Sequence, residues 1–156
     1  MVSLIIDAGL LIILGKINKL SLLRKISKKI TITPEVKREI MIKGNPGFHA
    51  LEKSLEWIKI KKPKENRDYG LGDGENSSIN LARETESVLV MDDIAGVKIS
   101  RSLDLKVART CALIIHAFRK KIIKKKEVLK IIDSMVEAGY YMSSSHYADV
   151  IKELHK

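Results

Sequence analysis

The 156 residues fit one domain with one core, large enough to bury about 70% of the surface its unfolded chain would expose, which excludes any need for disulfide staples. The sole cysteine, Cys111, lies in a mostly apolar stretch; it reads as a small buried hydrophobe rather than a catalytic thiol, and suits a reducing cytoplasm. With 29 Lys and Arg against 19 Asp and Glu, the formal charge of +10 would draw in a polyanion, nucleic acid first, against the plainer reading of a solvated lysine-rich surface.

In chain order, residues 2–6 form an apolar run of strand length, suited to a strand buried on both faces. Asp7 interrupts the apolar N-terminus, no basic segment precedes it and Lys16 follows, so neither a signal peptide nor a membrane span is expected. Residues 10–26 read as one helix and 30–32 as a short strand. Thr33 and Pro34 then start a helix as N-cap and first residue. A helix near 48–55, a strand at 57–60 and a polar loop over 61–70 follow. Gly70, Gly72 and Gly74 introduce a helix over 75–86, for which Asp73 reads as the N-cap, before the strand at 88–91. Beyond it come a helix within 94–103, a strand near 106–108, and helices over 111–121 and 126–138. Gly139 terminates the last of these, and a final helix starts among Ser143, Ser144 and Ser145. Strands alternating with helices predict an α/β fold around a mostly parallel sheet, whose ligands gather at the carboxyl ends of strands.

Acids stand at those ends. Asp7 closes the first strand, and Asp92 with Asp93 closes the one at 88–91; Glu39 borders the apolar face of its helix, and Glu75 opens another. A carboxylate directly after a buried strand is costly unless paired or metal-bound, and crowded carboxylates raise one another's pKa until a hard cation relieves them. The pattern therefore points to Mg²⁺ or Mn²⁺. Glu35 and Asp73 are explained by helix starts alone. His49, His116, His146 and His155 have no zinc spacing. Arg119, Lys120, Lys121, Lys124, Lys125 and Lys126, with Lys130, make a basic patch for the RNA backbone, and with one Trp, two Phe and four Tyr dispersed along the chain, phosphate contact is expected before base stacking.

Read together, Ile5-Ile6-Asp7, Thr33-Pro34-Glu35-Val36-Lys37-Arg38-Glu39, Gly72-Asp73-Gly74-Glu75 leading into Ile79-Asn80-Leu81-Ala82, and Val88-Leu89-Val90-Met91-Asp92-Asp93 resemble the PIN-domain proteins, which include VapC-type toxins. The likeness covers nearly the whole chain. The tail Glu137-Ala138-Gly139-Tyr140-Tyr141-Met142-Ser143, with Tyr147, is similar to an uncharacterised prokaryotic branch. The resemblance implies a single three-layer α/β/α PIN-like domain with a helical extension from about residue 125, and a metal-dependent endoribonuclease acting on single-stranded or structured RNA. It places Asp7, Glu39, Glu75 and the Asp92/Asp93 pair in an acidic quartet, with metal on Asp7, Glu75 and Asp92 or Asp93. As partners it implies RNA, an antitoxin protein and a second copy in a homodimer.

The chain departs from the family at Gly9, where a small hydroxyl or amide residue is usual, at Ile94-Ala95-Gly96, where this branch carries arginines, and at Thr110-Cys111-Ala112, where a glycine-rich turn is expected. These departures set a catalytically silent RNA-binding or protein-interaction module against the nuclease. A receiver-like domain would want its acidic pair after the first strand. A phosphate-binding loop at residues 70–74 would want a Lys-Ser/Thr that is missing, and Glu75 would repel its ligand.

Overall fold

The protein is described by a computed structural model covering residues 2–156. Five strands, β1 (Leu4–Ile6), β2 (Ile30–Ile32), β3 (Lys59–Ile60), β4 (Val88–Val90) and β5 (Val107–Ala108), form one sheet in the order β3-β2-β1-β4-β5 with every pair parallel. Nine helices among the described residues connect and cover them: α1 (Ala8–Lys16), α2 (Ser21–Ile26), α3 (Pro34–Ile40), α4 (Phe48–Ser54), α5 (Asp73–Thr85), α6 (Ile94–Ser102), α7 (Thr110–Arg119), α8 (Lys125–Glu137) and α9 (Ser144–Leu154). The predicted α/β class with a parallel sheet is what the chain adopts.

The strands alternate between two apolar layers because successive side chains of a strand point to opposite faces. Leu4, Ile6 and Val90 join the larger layer with Leu11, Leu14, Val36, Ile114 and Met135, while Ile5, Leu89 and Met91 join Ile79, Leu81 and Ala82 of α5. Burial on both faces explains why β1 and β4 read as continuous apolar runs. Cys111 is buried in the larger layer, and burial pushes its thiol up to about 11, so it packs rather than reacts.

Two predicted boundaries are corrected. Residues 10–26 are not one helix: α1 stops at Lys16, and Asn18 takes a left-handed turn with φ 57°. Lys19 N–H donates back to Leu14 O (2.9 Å), which closes the turn, and α2 starts afresh at Ser21. The apolar pattern continued through the turn because Leu20, Leu22 and Leu23 serve the same core. Asp73 is not an N-cap but the first residue of α5; the cap is Gly72, with no side chain to offer. The Thr33 cap and Pro34 start of α3 are present as expected, with Thr33 Oγ1 accepting from Val36 N–H at 3.2 Å.

Helix α1 also packs against α4. Gly47, at φ 84°, caps α4, and a side-chain carbon there would stand 2.6 Å from the Gly15 backbone. Only glycine meets both demands. Among the described residues no helix is long and apolar enough to cross a membrane.

Candidate active site

Register brings the carboxyl ends of three strands level. Ile6 pairs with Val90 and Val90 with Ala108, so Asp7, the Met91-Asp92-Asp93 segment and Arg109 follow one another along a single edge, with adjacent strands about 4.8 Å apart. The Asp7 N–H donates to Val90 O (3.1 Å) and the Met91 N–H to Ala108 O (3.0 Å), which fixes the backbone where the chain leaves the sheet. On the other side of β1, Thr33 ends β2 and begins α3. Its hydroxyl meets Ser77 Oγ at 2.7 Å, and Ser77 also donates to Gly74 O (3.1 Å). That buried pair ties the start of α3 to the first turns of α5 and turns Glu39 toward Gly74.

The acids then differ sharply in what holds them. Asp7 is 8% exposed, and its Oδ1 is buried without a hydrogen-bond partner. Burial above all, then the negative charge of Glu75, and to a lesser extent Glu39 and Asp93, push its carboxyl up to about 7; the Ala8 N–H pulls the other way. Glu39 is likewise raised, by burial and then by Glu75, although the Gly74 N–H opposes this. Its carboxylate lies directly over Gly74, where a side-chain carbon would collide with Oε1, and Glu75 lies similarly over Gly72, 2.5 Å from where such a carbon would stand. Both glycines are cradles that a larger residue would fill.

The consecutive aspartates diverge. Asp93 turns its Oδ2 to the Gly96 N–H (2.7 Å) and caps α6. Asp92 takes the Thr110 N–H on Oδ1 (2.9 Å) and the Thr110 hydroxyl on Oδ2 (2.5 Å), with Arg109 Nε 3.7 Å away. Among the described residues no three acids converge on one point. Asp92, Asp93 and Glu39 each lean instead on a nearby N–H or hydroxyl, as like charges that repel would. An all-oxygen donor set around one orphaned, buried carboxylate oxygen nonetheless suits a hard divalent cation, which would relieve both the repulsion and the unpaired oxygen.

The fold adds three groups to this edge that carry no predicted site role, although Thr110 marks a departure from the family and Tyr140 belongs to the tail resemblance. Arg109 follows β5 and caps α7, which Thr110 opens; this is the same kind of position that singled out the aspartates, but neither side chain is acidic. Tyr140 comes from the turn after α8, where Gly139 at φ 105° lets its own N–H reach Val136 O and the Tyr140 N–H reach Met135 O. The Tyr140 hydroxyl is buried beside the Cys111 thiol and is raised by burial first, then by the charge of Asp92 and by Cys111.

The predicted RNA-binding patch is elsewhere. Arg119 and Lys120 line a groove with Val2, Leu4 and Val88, at the amino ends of the strands, and α7 carries the chain about 15 Å from Thr110 to reach them. Arg119 is paired with Glu153, and Lys125 Nζ lies 2.8 Å from His155 Nδ1. The patch and the acids therefore occupy opposite ends of the sheet.

A family model described as DUF3368, a PIN domain, matches residues 3–156. Among solved structures the chain is similar to a PilT N-terminus domain protein, SSO1118, from the hyperthermophilic archaeon Sulfolobus solfataricus P2. Identity is 16%, 90% of this chain and 98% of that one are covered, and the TM-score is 0.47. No curated protein matches.

Proposed function

We propose, from the premise that this chain belongs to the PIN-domain family, that it is a metal-dependent endoribonuclease cutting single-stranded or structured RNA. PIN domains are nuclease-type folds and typically use divalent metal ions. The observation that carries the reading for this chain is Asp7: a buried carboxylate with an unpaired oxygen, pushed up to about 7 and surrounded by further acids, is an arrangement a cation relieves.

Mg²⁺ or Mn²⁺ on Asp7, Glu75 and Asp92 or Asp93 would supply a water of lowered pKa and neutralise charge developing on the scissile phosphate. The protein's share is positional. Thr110 and Arg109 hold Asp92 in one orientation, and Asp7 is anchored through its backbone to β4. Glu39 stands over the amino end of α5, where it can orient a water against Glu75's neighbourhood. No histidine or serine nucleophile is needed.

Purified protein should cut single-stranded RNA with Mg²⁺ or Mn²⁺ and stop with EDTA. Glu75→Gln should abolish cutting while RNA binding persists. A contaminating ribonuclease would survive that substitution, so equal cleavage by both proteins would refute the assignment. A toxin role extends the same proposal: expression in cells should arrest growth, a small partner protein should reverse the arrest, and Glu75→Gln should be harmless. The silent RNA-binding module has one observation in its favour, the empty space beside Gly9 where support for the site is usual. RNA binding without cleavage across varied substrates would select it.

A further inference from the structure

The basic patch sits at the wrong end of the sheet to touch RNA at the acids, so something nearer must hold the strand there. A groove of about 460 Å³ runs from Asp92 and Asp93 along α1 to Lys16 and is bordered by Arg109 and by the turn after α8. Its volume is in the range of small-ligand sites. Its charged lining is divided: Asp92 and Asp93 lie at one end with Arg109, whose side chain is 39% exposed although it faces Asp92, and exposed Lys16 lies at the other, so a phosphodiester passing the acids meets a cation on either side of them.

Two exposed apolar side chains line the same groove. Ile94 is 66% exposed and Tyr141 is 85% exposed. The Gly139 turn explains why neighbouring tyrosines behave differently: Tyr140 is drawn in toward Asp92 and Arg109, while Tyr141 stands out in solvent. Tyr141 contributes nothing visible to the core, and it is the most exposed of the large apolar side chains among the described residues. An exposed ring beside cationic side chains such as Arg109 and Lys16 is a usual platform on which single-stranded nucleic acid stacks a base, and such stacking does not depend on base identity.

We propose that this groove holds the nucleotide adjacent to the cut bond of single-stranded RNA, its phosphate against Arg109 and its base stacked on Tyr141. The inference rests on the nuclease reading of the acids for its register, but binding itself can be measured without cleavage. Its occupant is RNA rather than a protein because the groove sets Arg109 and Lys16 beside one exposed aromatic face, Tyr141, and includes Asp92 and Asp93 of the candidate site in its lining.

The test uses the full chain and a fluorescein-labelled short oligouridylate, with a companion series carrying one abasic position at a time. Binding is followed by anisotropy in EDTA and again in Ca²⁺, with intact RNA verified on a gel. Tyr141→Ala should weaken binding about tenfold and Tyr141→Phe should leave it nearly unchanged, since stacking needs the ring and not the hydroxyl. One abasic position should weaken the wild type by the same factor and cost nothing further in Tyr141→Ala. Arg109→Gln should lower the salt slope by about 0.7, one phosphate on a single strand. Wild-type-like binding by Tyr141→Ala, losses that multiply at every abasic position, or no binding by the wild type at low salt would each overturn the proposal. Tyr141-dependent binding without cutting in Mg²⁺ would instead overturn the nuclease reading and leave this one standing. Cutting that ignores both Tyr141 and the abasic series would do the reverse.

Discussion

Thr110 donates both of its groups to one partner: its backbone N–H reaches Asp92 Oδ1 at 2.9 Å and its hydroxyl reaches Oδ2 at 2.5 Å. Thr110 is itself fully buried. The side chain of Asp92 therefore has one available orientation, whereas Asp93 is free to trade its helix cap for another partner. Groups that orient a metal-binding carboxylate from behind are commonly worth 10- to 100-fold in affinity or activity. Thr110→Val keeps the shape and the N–H but removes the hydroxyl. It should cost about 2 kcal/mol in urea unfolding, as expected for a hydrogen bond to a charged group, and should lower cleavage within that range, while Thr110→Ser should restore both. Full activity in Thr110→Val would show that Asp92 needs no such support.

Asp7 makes stability depend on pH in a direction unusual for a carboxylate. Its folded pKa, about 7, lies above the ordinary 3.8, so the fold favours the neutral acid. That contribution is complete below the unfolded value and is lost as pH rises through about 7. A carboxyl raised from 3.8 to about 7 corresponds to a loss on the order of 4 kcal/mol between about pH 4 and pH 8 in metal-free protein. Asp7→Asn, neutral throughout, should lack this decline, and the difference between the two melting profiles isolates it. Mn²⁺ at neutral pH should raise the melting temperature of the wild type by binding linkage and leave Asp7→Asn nearly unmoved. Parallel pH profiles, or an equal response to Mn²⁺, would remove Asp7 from the site.

The division between what could be read from the residues and what could not has a physical cause. Apolar runs report burial, so β1 and β4 and the acids at their ends were visible, as was the Thr33-Pro34 start that aims Glu39. Chain reversal leaves a weaker mark: Asn18 turns the chain between α1 and α2 while the leucines on both sides keep one apolar pattern. The strand expected at 57–60 is present as β3 but only over Lys59 and Ile60, which are both exposed, so the apolar signature marked its place and not its start. Arg109, Thr110 and Tyr140 join the site only through the pairing of β4 with β5 and the turn at Gly139, which are contacts between distant parts of the chain. Counting lysines marks a basic patch along the chain, but charge along the chain carries no information about which end of a sheet it reaches.

That displacement of the patch gives a length-dependent expectation. Lys124, Lys125 and Lys126 lie beyond the far end of α7 from Thr110, so only an RNA long enough to cross the molecule can meet both them and the acids. Changing all three to Ala should lower the log–log salt slope for a long RNA by at most about 2, from roughly 0.7 per neutralised phosphate. Binding of a short oligonucleotide should not change. An unchanged slope on long RNA would assign these lysines to a solvated face, and weaker binding of the short RNA would place the acid-end groove closer to them than α7 allows.

Two glycines at the edge of the site should respond in opposite ways. Gly74 sits in the first turn of α5, where a side-chain carbon would strike Glu39 Oε1. Because that atom is the end of a flexible side chain, Gly74→Ala should not unfold the protein; the gain in helix propensity, up to about 1 kcal/mol, should hold or raise its stability. Yet Glu39 would lose its place over the Gly74 N–H, so cleavage and the Mn²⁺ response should fall. Gly9, in the first turn of α1, has nothing within 4 Å of where its side chain would start. Gly9→Ser should therefore be accepted, adding about 0.5 kcal/mol of helix preference and a hydroxyl in the groove beside Asp92 and Asp93. A hydroxyl there could support a carboxylate that now leans on local donors, so cutting should become faster. Measuring melting temperature and single-turnover cleavage on both variants separates the effects: a stable but slow Gly74→Ala beside a stable and faster Gly9→Ser is the expected pair. Wild-type cleavage by Gly74→Ala would show that the placement of Glu39 is immaterial, and no gain in Gly9→Ser would show that the open space beside the acids is not what limits the rate.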